Sequence, residues 1–361
     1  MPAPTVKLIA GVAALLAALA APFYLSSYDL SLTGRFLALS LTAMGLVLIW
    51  GHGGILSLGQ GMFFGLGGYV LAMHLKLVAL DVGEATPDFM VWSNVASLPW
   101  WWAIFRNPLA MLAGVVAIPG LVAAGLGWLV FRRRIGGVYF ALITQAVTLA
   151  FATLLISQQG YTGGFNGLTN YKTLFGFTLN DRLVIWGLYW ATVVIVALAL
   201  LGGLWLLNSR FGRLLRATRD NTNRVRFLGY DPTPYKIVAF AIAGALAGVS
   251  GALFALHAGV ISPALVAVTP SIEMVVWAAV GGRTSLAGAI AGALAVNFAK
   301  DKISSVVPEG WLYILGLVFI LVVTVMPKGL AGLFAGRRKA MAQAAALEPE
   351  TAPAPVKEAA Q

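Results

Sequence analysis

The chain has 361 residues, of which 60% are hydrophobic and only 10% charged, against about 25% charged in ordinary soluble domains. A soluble core could not absorb this much apolar side chain without large exposed patches, so the composition points to a surface that meets lipid. The net charge of +11 lies between apolar runs, where its placement matters more than its sum and no nucleic-acid partner is expected; the absence of cysteine excludes disulfides, thiolate metal sites and cysteine nucleophiles.

Apolar runs of roughly 15 to 25 residues, the length that crosses hydrocarbon as a helix, lie near 8–25, 36–50, 54–80, 109–131, 138–157, 183–207, 236–258, 268–281, 285–300 and 311–326. The fold class read from them is all-α: a polytopic integral membrane protein of about eight to ten transmembrane helices. Two runs set the lower figure. Ile272 to Val280 is short and 285–300 is rich in glycine and alanine, so either could be re-entrant or broken. Lys7, the apolar run after it and Ala18-Leu19-Ala20 also have the form of a signal peptide, whose removal would leave every later orientation unchanged. Residues 1–335 read as the membrane domain, with a cytoplasmic segment at 208–236. Residues 336–361, rich in Ala, Pro and Glu, read as a disordered cytoplasmic tail.

Orientation follows from lysine and arginine. With ten spans and cytoplasmic N- and C-termini, the clusters Arg132-Arg133-Arg134, Arg210 to Lys236 and Lys328 to Lys339 all fall inside, with most of the 24 basic residues. The opposite loops are 81–108 and 158–182. The first carries Asp81, Glu84 and Asp88 against one basic residue, Arg106, and holds Trp92, Trp100, Trp101 and Trp102, which suit an interfacial belt. The bilayer expected is the cell inner membrane.

Segment 208–236 is the most informative stretch outside the spans. Arginine recurs at 210, 213, 216 and 219; a three-residue step spreads these over about half of a 3.6-residue helix, with Leu214, Leu215, Val225 and Leu228 as the apolar complement. Gly229 fits a helix stop, and Pro232 and Pro234 prevent continuation. Such a helix could rest on anionic headgroups or dock a soluble partner. No GxxxxGK[ST] loop is present, so ATP would have to be hydrolysed by another chain.

Gly212, Arg213, Leu215, Ala217, Arg219, Asp220, Asn221, Leu228, Gly229, Tyr235 and Lys236 follow the pattern of the coupling loop of ABC importer permeases for branched-chain amino acids and related solutes, and the chain resembles that family over roughly 35–335. Leu56 to Gly65 resembles its early glycine-rich span, and Gly163 to Thr169 its external loop. Arg224-Val225-Arg226-Phe227-Leu228-Gly229-Tyr230, Ser271 to Arg283 and Pro308 to Leu312 resemble the urea branch, which puts urea ahead of branched-chain amino acids as the expected solute. His52 departs from the aromatic or small residue of the family pattern. The resemblance implies no cofactor and no enzymatic activity in this chain. It implies as partners a homologous permease subunit, two cytoplasmic ATP-binding subunits and a periplasmic or extracellular solute-binding protein. It also implies ATPase coupling through Gly212, Arg213, Arg216, Arg219, Asp220, Asn221, Arg224 and Gly229.

Urea would need acceptors for its N–H groups and a donor for its oxygen, whereas an amino acid would need an apolar pocket with recognition of both charges. Glu273, an ionisable residue opening an apolar run, is the foremost candidate for the solute path; its alternative is to pair with a basic group such as Arg283. Gln60, Gln145, Asn166 and Asn297 can each donate and accept, or serve as helix contacts. The GxxxG pairs Gly61/Gly65, Gly244/Gly248 and Gly288/Gly292 fit close helix packing within one subunit. His52, His74 and His257 show no metal-ligand spacing, which disfavours an intramembrane enzyme. A secondary transporter or passive channel for a small polar solute remains as a rival, separated by its lack of need for an ATPase dock.

Overall fold

The computed structural model describes residues 4–80, 86–95, 97–171, 173–174, 176–179, 181–307, 310–325, 329–330 and 332, with the side chains of 4–10, 312, 323 and 325 excepted. The tail 336–361, the acidic Asp81 and Glu84, and Pro308 and Glu309 lie outside these residues.

Each of the ten apolar runs forms a helix. They are α1 (Pro4–Ala20), α2 (Ser27–Leu46), α3 (Gln60–Val78), α6 (Pro108–Arg132), α7 (Val138–Ser157), α9 (Arg182–Asn208), α12 (Pro232–Ala258), α14 (Val268–Gly281), α15 (Leu286–Val306) and α16 (Trp311–Val325). Among the described residues six helices, α2, α3, α6, α7, α9 and α12, are long and apolar enough to cross a membrane, with α2 counted through to His52. The short run behaves as its length dictates: α14 has 14 residues, about 21 Å of helix, which falls short of a hydrocarbon core of about 30 Å. Between the long helices lie the short helices α4 (Asp88–Trp92), α5 (Trp100–Ala103), α8 (Gln159–Thr162), α10 (Arg210–Asp220), α11 (Thr222–Phe227) and α13 (Pro263–Val266).

Polar caps start these helices where the sequence changes character. Asn107, Asp181 and Asp231 accept backbone N–H groups at the starts of α6, α9 and α12, and Ser285 does so at α15. At Asp231 the Thr233 amide holds the carboxyl below its ordinary range.

The arrangement is layered. Helices α2 and α3 are buried along most of their length, while α6, α7 and α9 turn most of their apolar residues outward, as lipid-facing helices do. Helix α12 packs against α2, α3 and α6, and α15 against α2 and α14. All three GxxxG pairs lie inside the subunit: Gly61 and Gly65 against Val266, Gly244 and Gly248 against Pro119, and Gly288 and Gly292 against the α14 backbone at Gly281.

A small antiparallel ribbon ties the two halves of the chain. β1 (Leu168–Thr169) pairs with β4 (Val260–Ile261), Leu168 facing Ile261 and Thr169 facing Val260. β2 (Thr173–Leu174) and β3 (Phe177–Thr178) form a second ribbon within the same loop. Gly167 takes φ +69°, and a Cβ there would run into the Ile261 carbonyl, so glycine is required for the ribbon to close.

Candidate translocation cavity and coupling segment

A cavity of about 500 Å³ opens between α2, α3, α12, α13, α14 and α15, within the size range of small-molecule sites. Its apolar wall includes Phe36, Leu39, Phe64, Phe254, Met274 and Trp277. Its polar wall holds Arg35, Glu273, Asn297, Lys300 and Asp301, with Ser304 and Ser305. The helix periods explain the grouping. Glu273 and Trp277 are four residues apart on α14, and Asn297, Lys300, Asp301 and Ser304 follow three- and four-residue steps on α15, so each set shares one face.

Glu273 is buried, and both of its carboxylate oxygens are hydrogen-bonded. Lys300 Nζ donates to Oε1 at 2.8 Å and to Oε2 at 2.7 Å, and Trp311 Nε1 donates to Oε1 at 3.3 Å. The partner is therefore Lys300 and not Arg283, whose guanidinium instead lies over the Trp50 ring at 5.3 Å. The sequence offered no direct sign of this pairing, because residues 27 positions apart meet only once α14 and α15 fold back on each other. Asn297 donates to the Ala293 carbonyl one turn earlier at 2.8 Å.

Two further charged residues, unnoticed in the sequence, face the same space. Arg35 Nε donates to the His257 carbonyl at 3.2 Å near the end of α12. Neither Arg35 nor Asp301 forms an ion pair among the described residues.

The other path candidates lie elsewhere. Gln60 is fully buried at the start of α3, and neither amide atom has a hydrogen-bond partner among the described residues. Gln145 is half-buried on α7, and Asn166 is exposed in the loop before β1. None of the three lines the cavity. The three histidines are bonded separately: His52 to the Val47 carbonyl, His74 to that of Phe105, and His257 to the Thr192 hydroxyl.

Segment 208–236 forms two helices rather than one. Asn221 leaves helical geometry at φ −159° and its side chain caps α11 through the amides of Asn223 and Arg224, so α10 and α11 meet at a corner. Gly229 stops α11 as expected, at φ +86°. Leu215 and Val225 are buried, but Leu228 is 76% and Phe227 91% exposed, so Leu228 belongs to a protruding apolar tip and not to the inward face. Arg213 and Arg224 point outward, Arg216 is half-buried, and Arg219 pairs with Asp220 at 2.8 Å.

Arg219 also reaches inward: Nη1 donates to the Gly51 carbonyl at 2.7 Å. Gly51 sits in a π-helical turn, Val47–His52, that widens the end of α2. The His52 ring bonds the Val47 carbonyl of this turn, which gives that residue a local structural role. On its other side Gly51 abuts the Arg283 carbonyl in the turn joining α14 to α15. Contacts thus run from α10 through the end of α2 to the hairpin that carries Glu273 and Lys300.

Among known protein families, residues 28–323 match the branched-chain amino acid transport system permease component. The chain belongs to this family. The permease is a multi-pass inner-membrane subunit of an ATP-driven transporter and not an enzyme. It is similar to the high-affinity branched-chain amino acid transport system permease protein LivM of Salmonella typhimurium, at 27% identity over 88% of this chain and 73% of the relative. It is also similar to BraD of Pseudomonas aeruginosa, at 23% identity, and to LivH of Escherichia coli, at 24%; each covers 81% of this chain and 91% of the relative. No solved structure matches.

Proposed function

We propose that this permease conducts a branched-chain amino acid or a close aliphatic analogue, as one of two homologous membrane subunits of an ATP-driven importer. The single observation that carries the reading is the cavity: an apolar wall facing charged groups of both signs. Aliphatic zwitterions need both features, and urea needs neither. The expectation of urea rested on short strings around Arg224 and Ser271. The three relatives described above are all named for branched-chain amino acids, which reverses the order.

Similarity to both LivM and LivH, two permease proteins named for the same kind of transport system, supports a pair of homologous, non-identical subunits. The family implies ATP-binding subunits and a solute-binding protein as the other partners. With both termini cytoplasmic, the β1–β4 ribbon lies on the face that receives the solute, and α10 and α11 lie on the ATPase face. The exposed tip of Phe227 and Leu228 favours docking of a soluble partner over headgroup contact alone. A push on Gly212 to Gly229 would reach the cavity hairpin through Arg219 and Gly51. Gln60, with its unpartnered amide, belongs to the path, and Glu273 and Asn297 to the cavity.

The test is competition in proteoliposomes holding the complete transporter with its binding protein. Labelled leucine uptake should be ATP-dependent and unaffected by excess urea. Uptake of urea that leucine does not reduce would overturn the reading in favour of urea. Uptake of either solute without ATP would favour a secondary transporter.

A further inference from the structure

The charged groups of the cavity divide into two kinds. Glu273 and Lys300 neutralise each other at 2.7 and 2.8 Å. Arg35 and Asp301 have no countercharge among the described residues, and they reach the cavity from different helices, α2 and α15. Arg35 is fixed through Nε by the His257 carbonyl, which leaves its terminal nitrogens to point elsewhere as a preset fork. Phe36, Leu39, Phe254 and Trp277 line the same cavity. Both Arg35 and Asp301 are half-buried, and a half-buried charge without a countercharge is stabilised by a ligand of opposite sign.

We infer that this cavity is a zwitterion site, in which Arg35 binds the α-carboxylate and Asp301 the α-ammonium of an aliphatic amino acid. Ser304, one turn beyond Asp301, supplies a neutral hydroxyl beside the ammonium, and the aromatic wall takes the side chain. The Glu273–Lys300 pair holds α14 to α15 and so sets the spacing of the site. The inference rests on the amino-acid reading above and adds residue roles to it.

The natural chain has no cysteine, so Ser304→Cys introduces a single thiol at the cavity wall. The experiment measures its alkylation by N-ethylmaleimide in the complete transporter, reconstituted in nanodiscs without nucleotide. L-leucine should slow alkylation at least threefold. Leucinamide, which lacks the carboxylate, and 4-methylpentanoate, which lacks the ammonium, should not, and neither should urea. Adding Arg35→Met or Asp301→Asn should abolish leucine protection, and Arg35→Lys should restore part of the first loss by returning the charge without the fork. Each variant is compared as the intact complex on size-exclusion chromatography, and Arg35→Gln replaces Arg35→Met if the latter does not assemble.

Leucine protection that survives both Arg35→Met and Asp301→Asn overturns the inference and leaves the amino-acid reading standing. So does an absence of protection in a complex that transports leucine. Protection by urea but not by leucine overturns the reading underneath. Equal protection by leucine and leucinamide removes the role of Arg35 alone.

Discussion

Glu273 shows how a residue can be recognised correctly and understood incompletely. An acidic residue in an apolar run is rare enough to stand out, but its partner and its neighbours come from other helices. In the structure it is a held charge, locked by Lys300 and Trp311. Removing Lys300 leaves a buried carboxylate without its cation. Lys300→Met should therefore lower stability by about 1–3 kcal/mol, less than for a wholly buried pair because the ammonium is partly exposed. The double change Glu273→Gln with Lys300→Met should recover much of that loss. The apparent unfolding midpoint in detergent, followed by tryptophan fluorescence, measures both; a double variant no more stable than Lys300→Met alone would refute the pairing as the source. Arg35 escaped notice in the sequence because one arginine at the start of a span resembles an interfacial anchor. Asp301 lies between two lysines, where it reads as a solvated charge.

At the scale of elements, the decisive feature is the end of α2. The π-helical turn Val47–His52 brings Gly51 against the Arg283 carbonyl on one side and the Arg219 guanidinium on the other. No side chain fits there. Gly51→Ala should destabilise the protein by about 1–3 kcal/mol, the range for overpacking, while Gly202→Ala on α9, with open space around it, should be neutral or mildly stabilising. Equal midpoints for the two would sink the argument. Coupling is tested separately: Arg216→Glu or Asp220→Lys should let ATP hydrolysis continue while leucine uptake falls at least fivefold. Intact uptake per ATP in both would show that the dock lies elsewhere. Gly212 is less informative for this purpose, since a Cβ there would strike the Leu207 carbonyl and distort the α9–α10 junction. The sequence showed a basic segment and its glycine stop. It concealed the corner at Asn221, because an asparagine amid polar neighbours has no periodicity to interrupt. It also concealed the outward turn of Leu228, whose hydrophobicity alone argued for burial.

For the whole molecule, hydropathy located the ten apolar helices, of which six among the described residues are long and apolar enough to span a membrane, since a lipid surface demands runs of set length and backbone that bonds to itself. It could not say which helices would be central, because α2 and α9 are both apolar while only packing distinguishes them. The cavity was illegible for the same reason: its walls come from six helices, two from the first quarter of the chain and four from its last third. The interleaving has a consequence for how the protein is made. Ser250 on α12 donates to the Ala38 carbonyl on α2 at 2.7 Å, across 212 residues of chain. At a synthesis rate of about 5–20 residues per second, α2 waits on the order of 10–40 s for the helix that covers it. In that interval α9 emerges and can cover the face of α2 that carries Leu30 and Leu37, against Tyr189 and Val193, while the face that meets α12 and α15 stays open. The central packing of this permease is therefore completed late in synthesis, and the ribbon that joins its halves can close only once α12 has been threaded.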